Sequence, residues 1–146
     1  MKIGIASDHG GYELKYNLTK KLQEKGYNVV DYGTDSSIRV DYPEFAFKLC
    51  DEVLKNNVDF GIAICKTGIG MSIACNKVKG IRCAKVDNEI DAEFSKRHNN
   101  ANVIALSANK SLEEILKLID IFISNSFEEG RHLDRINMIR KYEDEH

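Results

Sequence analysis

Short apolar segments alternate along the chain with longer segments in which apolar residues recur every three or four positions. The apolar segments are nearly continuous, which is typical of parallel strands that are covered on both faces of a sheet. We predict five strands, at Lys2–Ser7, Tyr27–Asp31, Phe60–Ile64, Ile81–Val86 and Asn102–Leu106.

The periodic segments between the strands predict helices. In the first of them Leu14, Leu18 and Leu22 are four residues apart and would share one face. Pro43 suits the first turn of a helix, and Ser111 suits an N-cap. The predicted helices are 11–25, a segment beginning near Pro43, 71–76, 89–98, 111 to about 125, and 131 to the end of the chain.

Alternation of strands and helices predicts an α/β fold in which right-handed crossovers join parallel strands. Helices would then cover both faces of the sheet and make three layers. The chain has 146 residues and contains no internal repeat, low-complexity tract or linker, so we expect one domain over 1–146.

Composition and charge exclude several classes of protein. The hydrophobic fraction of 42% and the charged fraction of 30% are ordinary for a globular chain and argue against disorder. A net charge of −2 shows no broad basic excess, so we do not expect nucleic acid as the main partner. No apolar run approaches the length of a membrane helix, and we expect no signal peptide.

The four cysteines, at 50, 65, 75 and 83, form no C-x-x-C pair and no zinc spacing. We therefore expect reduced thiols in a cytoplasmic protein, with Cys50, Cys75 and Cys83 filling the core. The sequence offers no metal site and no cofactor motif.

Candidate chemistry follows the first and third strands. In open parallel sheets ligands bind beyond the carboxyl ends of the strands. Asp8-His9-Gly10-Gly11 follows the first strand, and Cys65-Lys66-Thr67-Gly68-Ile69-Gly70 follows the third. If these strands are neighbours, the two loops line one crevice. The glycine-rich turn is too short for a dinucleotide fingerprint, so its glycines either expose amides to an anion or simply permit a tight turn.

Cys65 is predicted at the end of a buried strand, before exposed amides that favour a thiolate, although a structural cysteine would fit there too. His9 lies in the first loop, and His98 ends a helix, where most histidines are surface residues. Arg131 and Arg135 share a helix face, which suits either a phosphate or a solvated surface.

Together these motifs resemble the ribose-5-phosphate isomerase B family, which also includes the subunits of galactose-6-phosphate isomerase. The resemblance covers nearly the whole chain, and it depends on the order and spacing of several motifs. The matching segments are Ser7-Asp8-His9-Gly10-Gly11, Asp41-Tyr42-Pro43, Cys65-x-Thr67-Gly68-x-Gly70, Asn76-Lys77, Gly80-Ile81-Arg82, Arg97-His98-Asn99-x-x-Asn102 and Glu129-Gly130-Arg131-His132.

The resemblance implies a Rossmann-like five-stranded parallel sheet. It also implies a homodimer or a dimer of dimers whose active sites are shared between subunits. The implied reaction interconverts ribose 5-phosphate and ribulose 5-phosphate through an enediolate, without a metal or a cofactor. Its implied catalytic residues are Cys65 as the base, Thr67 in the oxyanion turn, and His98 as the acid that opens the sugar ring. The implied substrate contacts are Asp8, His9, Tyr42, Lys66, Gly68, Ile69, Gly70, Asn99, Arg131 and Arg135, of which His9 and the two arginines would hold the phosphate.

One position departs from the family, which usually has glycine where this chain has Lys66. The ammonium could favour the thiolate, reach the substrate or point to solvent. Three other functions remain open: an isomerase of a six-carbon sugar phosphate such as galactose 6-phosphate or allose 6-phosphate, a ligand-binding module, and a thiol redox protein. The last lacks a resolving cysteine near Cys65.

Overall fold

Five parallel strands form one sheet in the order β2-β1-β3-β5-β4. The computed structural model describes all residues, Met1–His146. The strands are β1 (Lys2–Ser7), β2 (Asn28–Asp31), β3 (Phe60–Cys65), β4 (Cys83–Lys85) and β5 (Val103–Ser107). The helices are α1 (Tyr12–Glu24), α2 (Tyr42–Leu54), α3 (Ile69–Asn76), α4 (Glu89–Arg97), α5 (Leu112–Ser124) and α6 (Arg131–Glu145).

The five predicted strands and the α/β class are confirmed, but β4 and α3 each begin two residues away from the predicted start, whereas the other boundaries agree to within one residue. β4 covers only Cys83–Lys85, because the amide of Ile81 donates to the Val78 carbonyl in a turn. α3 begins at Ile69, earlier than predicted, because Gly68 takes a left-handed conformation with φ +80° and caps the helix there.

Two hydrophobic cores cover the two faces of the sheet. Ile3, Ile5 and Ile62 belong to the core that α1, α4 and α5 complete, whereas Ala6 and Ala63 belong to the core under α2 and α3. Successive strand residues face opposite sides, so each strand serves both cores. The predicted three-layer arrangement is confirmed, and none of the helices combines the length and low polarity that a bilayer crossing requires.

The cysteines behave as expected with one exception. Cys50 and Cys75 are fully buried in the core under α2 and α3, as predicted. Cys83 lies on the edge strand β4 and is half-buried; it packs against this core, but less completely than predicted. An edge strand has a neighbour on one side only, which leaves its side chains more accessible.

Candidate active site

The loops after β1 and β3 meet at the carboxyl edge of the sheet. Ser7 pairs with Ile64 in the parallel register, and the amide of Asp8 donates to the Ile64 carbonyl at 3.3 Å. A β-carbon placed on Gly10 would lie 3.5 Å from the β-carbon of Lys66. The expected crevice between these two loops therefore exists.

Cys65 ends β3 and is 6% exposed. The backbone N–H of Gly68 donates to its Sγ at 3.2 Å and fixes the sulfur at the start of the turn. A β-carbon on Gly68 would lie 3.1 Å from the carbonyl carbon of Leu106, so glycine is needed both for its positive φ and for space. The turn is held from β5, because the Ser107 hydroxyl donates to the Lys66 carbonyl at 2.8 Å.

The remaining polar groups at this edge are also fixed by the backbone. Asp8 Oδ1 accepts the amide of Gly11 at 3.1 Å, which leaves its second oxygen free for a ligand. His9 Nδ1 lies 3.2 Å from the amide nitrogen of Val40, and the Tyr42 ring packs against Gly70, where a β-carbon would lie 2.8 Å from Tyr42 Cζ. We call Asp8, His9, Tyr42 and the turn 65–70 the thiol half-site.

Lys66 is exposed at the rim of this half-site. No hydrogen bond or ion pair holds its Nζ within the chain, so the ammonium is available to Cys65, to a ligand or to solvent.

Sequence reasoning missed the residue that holds the loop between β2 and α2. The side chain of Lys15 is 1% exposed, and its Nζ donates to Asp31 Oδ1 at 2.6 Å and to the Thr34 carbonyl at 2.5 Å. The anchored loop places the backbone amide of Val40 3.2 Å from His9 Nδ1. No signal in the sequence distinguishes this lysine, because a lysine on an amphipathic helix is ordinarily solvated.

The other predicted residues form a second cluster. His98 caps the end of α4 and stacks on His132 of α6, with ring centroids 4.1 Å apart and an interplanar angle of 11°. Glu128 Oε1 lies 3.7 Å from Nε2 of each imidazole. Arg131 and Arg135 are exposed on the first turns of α6, and Asn99 lies beside His98. We call His98, Asn99, Glu128, Arg131, His132 and Arg135 the imidazole half-site.

The imidazole half-site lies at the amino edge of the sheet, away from the thiol half-site. Arg82, just before β4, donates to the carbonyl oxygens of Asn99 at 3.0 Å and Asn100 at 2.8 Å. Cys65, in contrast, pairs with Ser107 at the far end of β5. Four strand steps from Val103 to Ser107 make about 13 Å. Within one chain, the structure thus does not bring His98, Asn99, Arg131 and Arg135 to Cys65.

The environment of His132 favours its neutral form. Burial lowers the pKa of His132, and the neighbouring His98 and Arg131 lower it further, against the opposing effect of Glu128. Its side chain is only 8% exposed. His132 and Glu128 were missed as site residues, although His132 stands in one of the motifs, because the sequence does not show that it stacks on His98.

The environments of two other thiols, Cys50 and Cys75, favour the protonated form. A hydrogen bond with Cys75 and then burial raise the pKa of Cys50. The bond with Cys50 lowers the pKa of Cys75, but a bond with Cys83 together with burial outweighs it, so the pKa of Cys75 is raised. Both thiols therefore stay protonated and unreactive at neutral pH.

Comparison with known proteins gives a consistent result. The sequence model of the family described as Ribose/Galactose Isomerase matches residues 3–139. Ribose-5-phosphate isomerase B of Escherichia coli is 40% identical over 143 residues, which cover 97% of this chain and 96% of that protein.

Two solved structures are similar over nearly the full length. Ribose-5-phosphate isomerase B of Clostridium thermocellum has a TM-score of 0.97 and 44% identity, covering 99% of both chains. The enzyme of Mycoplasma genitalium with bound ribulose 5-phosphate has a TM-score of 0.94 and 44% identity, covering 99% of this chain and 97% of that one.

Proposed function

The chain belongs to the ribose/galactose isomerase family, and on that premise we propose that it interconverts D-ribose 5-phosphate and D-ribulose 5-phosphate. The observation that carries the proposal is the thiol half-site, where the Gly68 amide faces the Cys65 sulfur at 3.2 Å. A protein with 44% identity holds ribulose 5-phosphate. The proposed unit is one isomerase domain over 1–146, acting in the pentose phosphate pathway.

In the proposed mechanism Cys65 is the base that moves the proton between C2 and C1. The sulfur lies at the start of the turn that leads into α3, so a substrate carbonyl placed against that turn would meet the first backbone amides of the helix. The Ile69 amide already donates to Thr67, whereas the next amides, of Gly70 and Met71, have no acceptor within the helix. Such preorganised donors stabilise the negative oxygen of an enediolate, typically by several kcal/mol. Thr67 positions this turn, because its Oγ1 accepts the Ile69 amide at 3.2 Å.

The substrate would lie between the two loops of the thiol half-site. The free carboxylate oxygen of Asp8 suits a sugar hydroxyl, and the imidazole of His9 suits the phosphate. Tyr42, packed on Gly70, would bound the cleft, and Lys66 would reach the substrate from the rim. Gly68, Ile69 and Gly70 would contact it through the backbone.

Ring opening and phosphate binding need the imidazole half-site, and we propose that a second copy of the chain supplies it. His98 would transfer the proton at the ring oxygen, Asn99 would contact a hydroxyl, and Arg131 and Arg135 would hold the phosphate bidentately. Both arginines are exposed, which leaves their guanidinium groups available.

The course of α3 supports the proposed dimer. Its first turn belongs to the thiol half-site, and its last residue, Asn76, exchanges two hydrogen bonds with Cys83 at the start of β4, near the imidazole half-site. The helix spans about 12 Å, close to the distance between the two edges. Two α3 helices packed antiparallel about a twofold axis would therefore bring each thiol half-site to the other chain's imidazole half-site.

The exposed surface supports this pairing. Ile69 and Ile73 lie four residues apart on α3 and are 53% and 55% exposed. A cavity of about 650 Å³ opens between the end of α3, β4 and α6, and Asn99 is among its lining residues. A homodimer, or a dimer of such dimers, would cover these surfaces. We also propose a cytoplasmic location, which suits the four free thiols.

The proposed function is tested by incubation with ribose 5-phosphate in the presence of EDTA, with ribulose 5-phosphate as the measured product. Cys65→Ala is expected to lose about two to four orders of magnitude in kcat while it keeps its fold and its phosphate affinity. Cys50→Ala is the matched control, because it removes a buried thiol of α2 that lies outside the thiol half-site. A Cys65→Ala enzyme with a tenth of the wild-type kcat would place the base elsewhere. Faster turnover of allose 6-phosphate would assign a six-carbon substrate.

A further inference from the structure

The imidazole half-site contains three potential metal ligands that the isomerase reaction does not require as a set. One ligand atom each from His98, Glu128 and His132 lies within 4.8 Å of the other two. The three residues come from the end of α4, the loop before α6 and the first turn of α6. We propose that this cluster binds Zn²⁺ and that the bound ion inhibits the enzyme by occupying His98.

The carboxylate oxygen lies close to a zinc-site distance from each imidazole. With Zn–N and Zn–O distances near 2.1 Å, the ligands of a tetrahedral ion are about 3.4 Å apart. Glu128 Oε1 lies 3.7 Å from Nε2 of His98 and 3.7 Å from Nε2 of His132. The two imidazoles are stacked with nearly parallel planes, so their nitrogen lone pairs do not meet at one point. The side chain of His98 is 35% exposed and must rotate out of the stack to bind an ion together with Glu128 and the buried His132.

The carboxylate is already oriented as a ligand would be. Arg97 Nη2 binds Glu128 Oε2 at 2.6 Å, and the Glu128 amide donates to the Arg97 carbonyl at 2.9 Å. These two contacts turn Oε1 toward the imidazoles. Hydrogen bonds of this kind to a ligating carboxylate normally support a metal site.

The ligand set and the surrounding charge define the kind of site. Two imidazoles and one carboxylate suit Zn²⁺ or Co²⁺ and not Mg²⁺, and they leave a fourth position for water. The charge of Arg97 is balanced by Glu93 and Glu128, but Arg131 and Arg135 add positive charge nearby. The site should therefore bind zinc reversibly and more weakly than a structural zinc site.

The consequence for activity rests on the proposed function, whereas the binding does not. An imidazole nitrogen that holds Zn²⁺ cannot transfer a proton to the ring oxygen. Zinc is therefore expected to slow turnover of the cyclic sugar phosphate more than turnover of its open-chain aldehyde form. EDTA should restore the rate.

Binding is tested first, on the full-length protein freed of metal and phosphate. Titration with Co²⁺ should give the visible absorption of a tetrahedral nitrogen and oxygen site, without a thiolate charge-transfer band. Zn²⁺ should displace the Co²⁺, and Mg²⁺ should not. His132→Gln and Glu128→Gln should each weaken Co²⁺ binding at least tenfold.

Two controls separate this site from the alternatives. His146→Gln changes a histidine that is also stacked on an aromatic ring, that of Tyr142, and should leave Co²⁺ affinity unchanged. Cys65→Ser should also leave it unchanged. Equal affinity in wild type and His132→Gln, or a thiolate band that disappears in Cys65→Ser, overturns the site.

Inhibition is then measured with each protein normalised to its own metal-free rate. The zinc concentration for half-inhibition should match the binding midpoint in wild type and should rise at least tenfold in Glu128→Gln. Binding without inhibition would refute the proposed effect on His98 and leave the metal site intact. An enzyme with no isomerase activity even in EDTA would refute the proposed function instead, and the Co²⁺ titration would still decide the site.

Discussion

If the chain forms the proposed dimer, two inactive variants of this enzyme should restore activity when they are combined in one dimer. Cys65→Ala disables the thiol half-site, and His98→Asn disables the imidazole half-site. In one chain these half-sites lie at opposite edges of the sheet, about 13 Å apart along β5. If each active site takes one half from each chain, the heterodimer has one site with both substitutions and one site with neither.

The expected activity follows from the number of intact active sites in each dimer. A heterodimer purified through two different affinity tags should have about half the wild-type activity per dimer, and an unfractionated equal mixture about a quarter. The assay is formation of ribulose 5-phosphate from the ring form of ribose 5-phosphate, with each homodimer measured alone for background.

A matched pair of variants in the same half-site provides the control. Cys65→Ala and Asp8→Asn both alter the thiol half-site, so their heterodimer has no intact site and should show no recovery. A Cys65→Ala/His98→Asn heterodimer that stays at the background of its parents would refute the shared site. It would mean that each chain completes its own site by a rearrangement that brings His98 to Cys65.

Three further predictions concern single substitutions. Gly68→Ala and Gly26→Ala each force a β-carbon into a left-handed conformation, at φ +80° and φ +96°, and each should lose about 1–2 kcal/mol of unfolding free energy. Only Gly68→Ala should also lower kcat, because its β-carbon contacts the backbone of β5, whereas a β-carbon on Gly26 contacts nothing within 4 Å. An equal kcat in the two variants would contradict the role of the turn. Arg131→Ala should raise KM, by an amount that corresponds to a loss of about 1.5–3 kcal/mol of binding free energy, with little change in kcat. An unchanged KM would mean that Arg131 is a solvated surface residue. Burial holds the pKa of His132 below its ordinary value, so as the pH falls the unfolded chain binds this proton before the folded chain does. The free energy of unfolding should therefore decrease as the pH falls below about 6.5. The decrease should be smaller in His132→Gln.

Much of the thiol half-site follows from local features of the sequence. β1 is predicted with its observed boundaries, and Cys65 is predicted next to the end of a buried strand, because a strand covered on both faces must be apolar at every position. Once the strands are parallel, the loops after β1 and β3 must leave the same edge of the sheet. The convergence of Asp8, His9 and Cys65 then needs only that these strands are neighbours, which the strand order confirms.

The imidazole half-site needed the tertiary structure. The sequence pattern predicts that His98 lies at a helix end, but it does not predict that His98 stacks on His132. That stacking depends on where α6 packs after the loop that carries Glu128. The burial of Lys15 was equally invisible, since it arises from two oxygen atoms, of Asp31 and Thr34, that lie sixteen and nineteen residues away along the chain. Sequence patterns report on neighbours three or four residues away or on alternate faces of a strand. Contacts between separate elements depend on how those elements pack, and in this protein that packing decided which groups lie at which edge of the sheet.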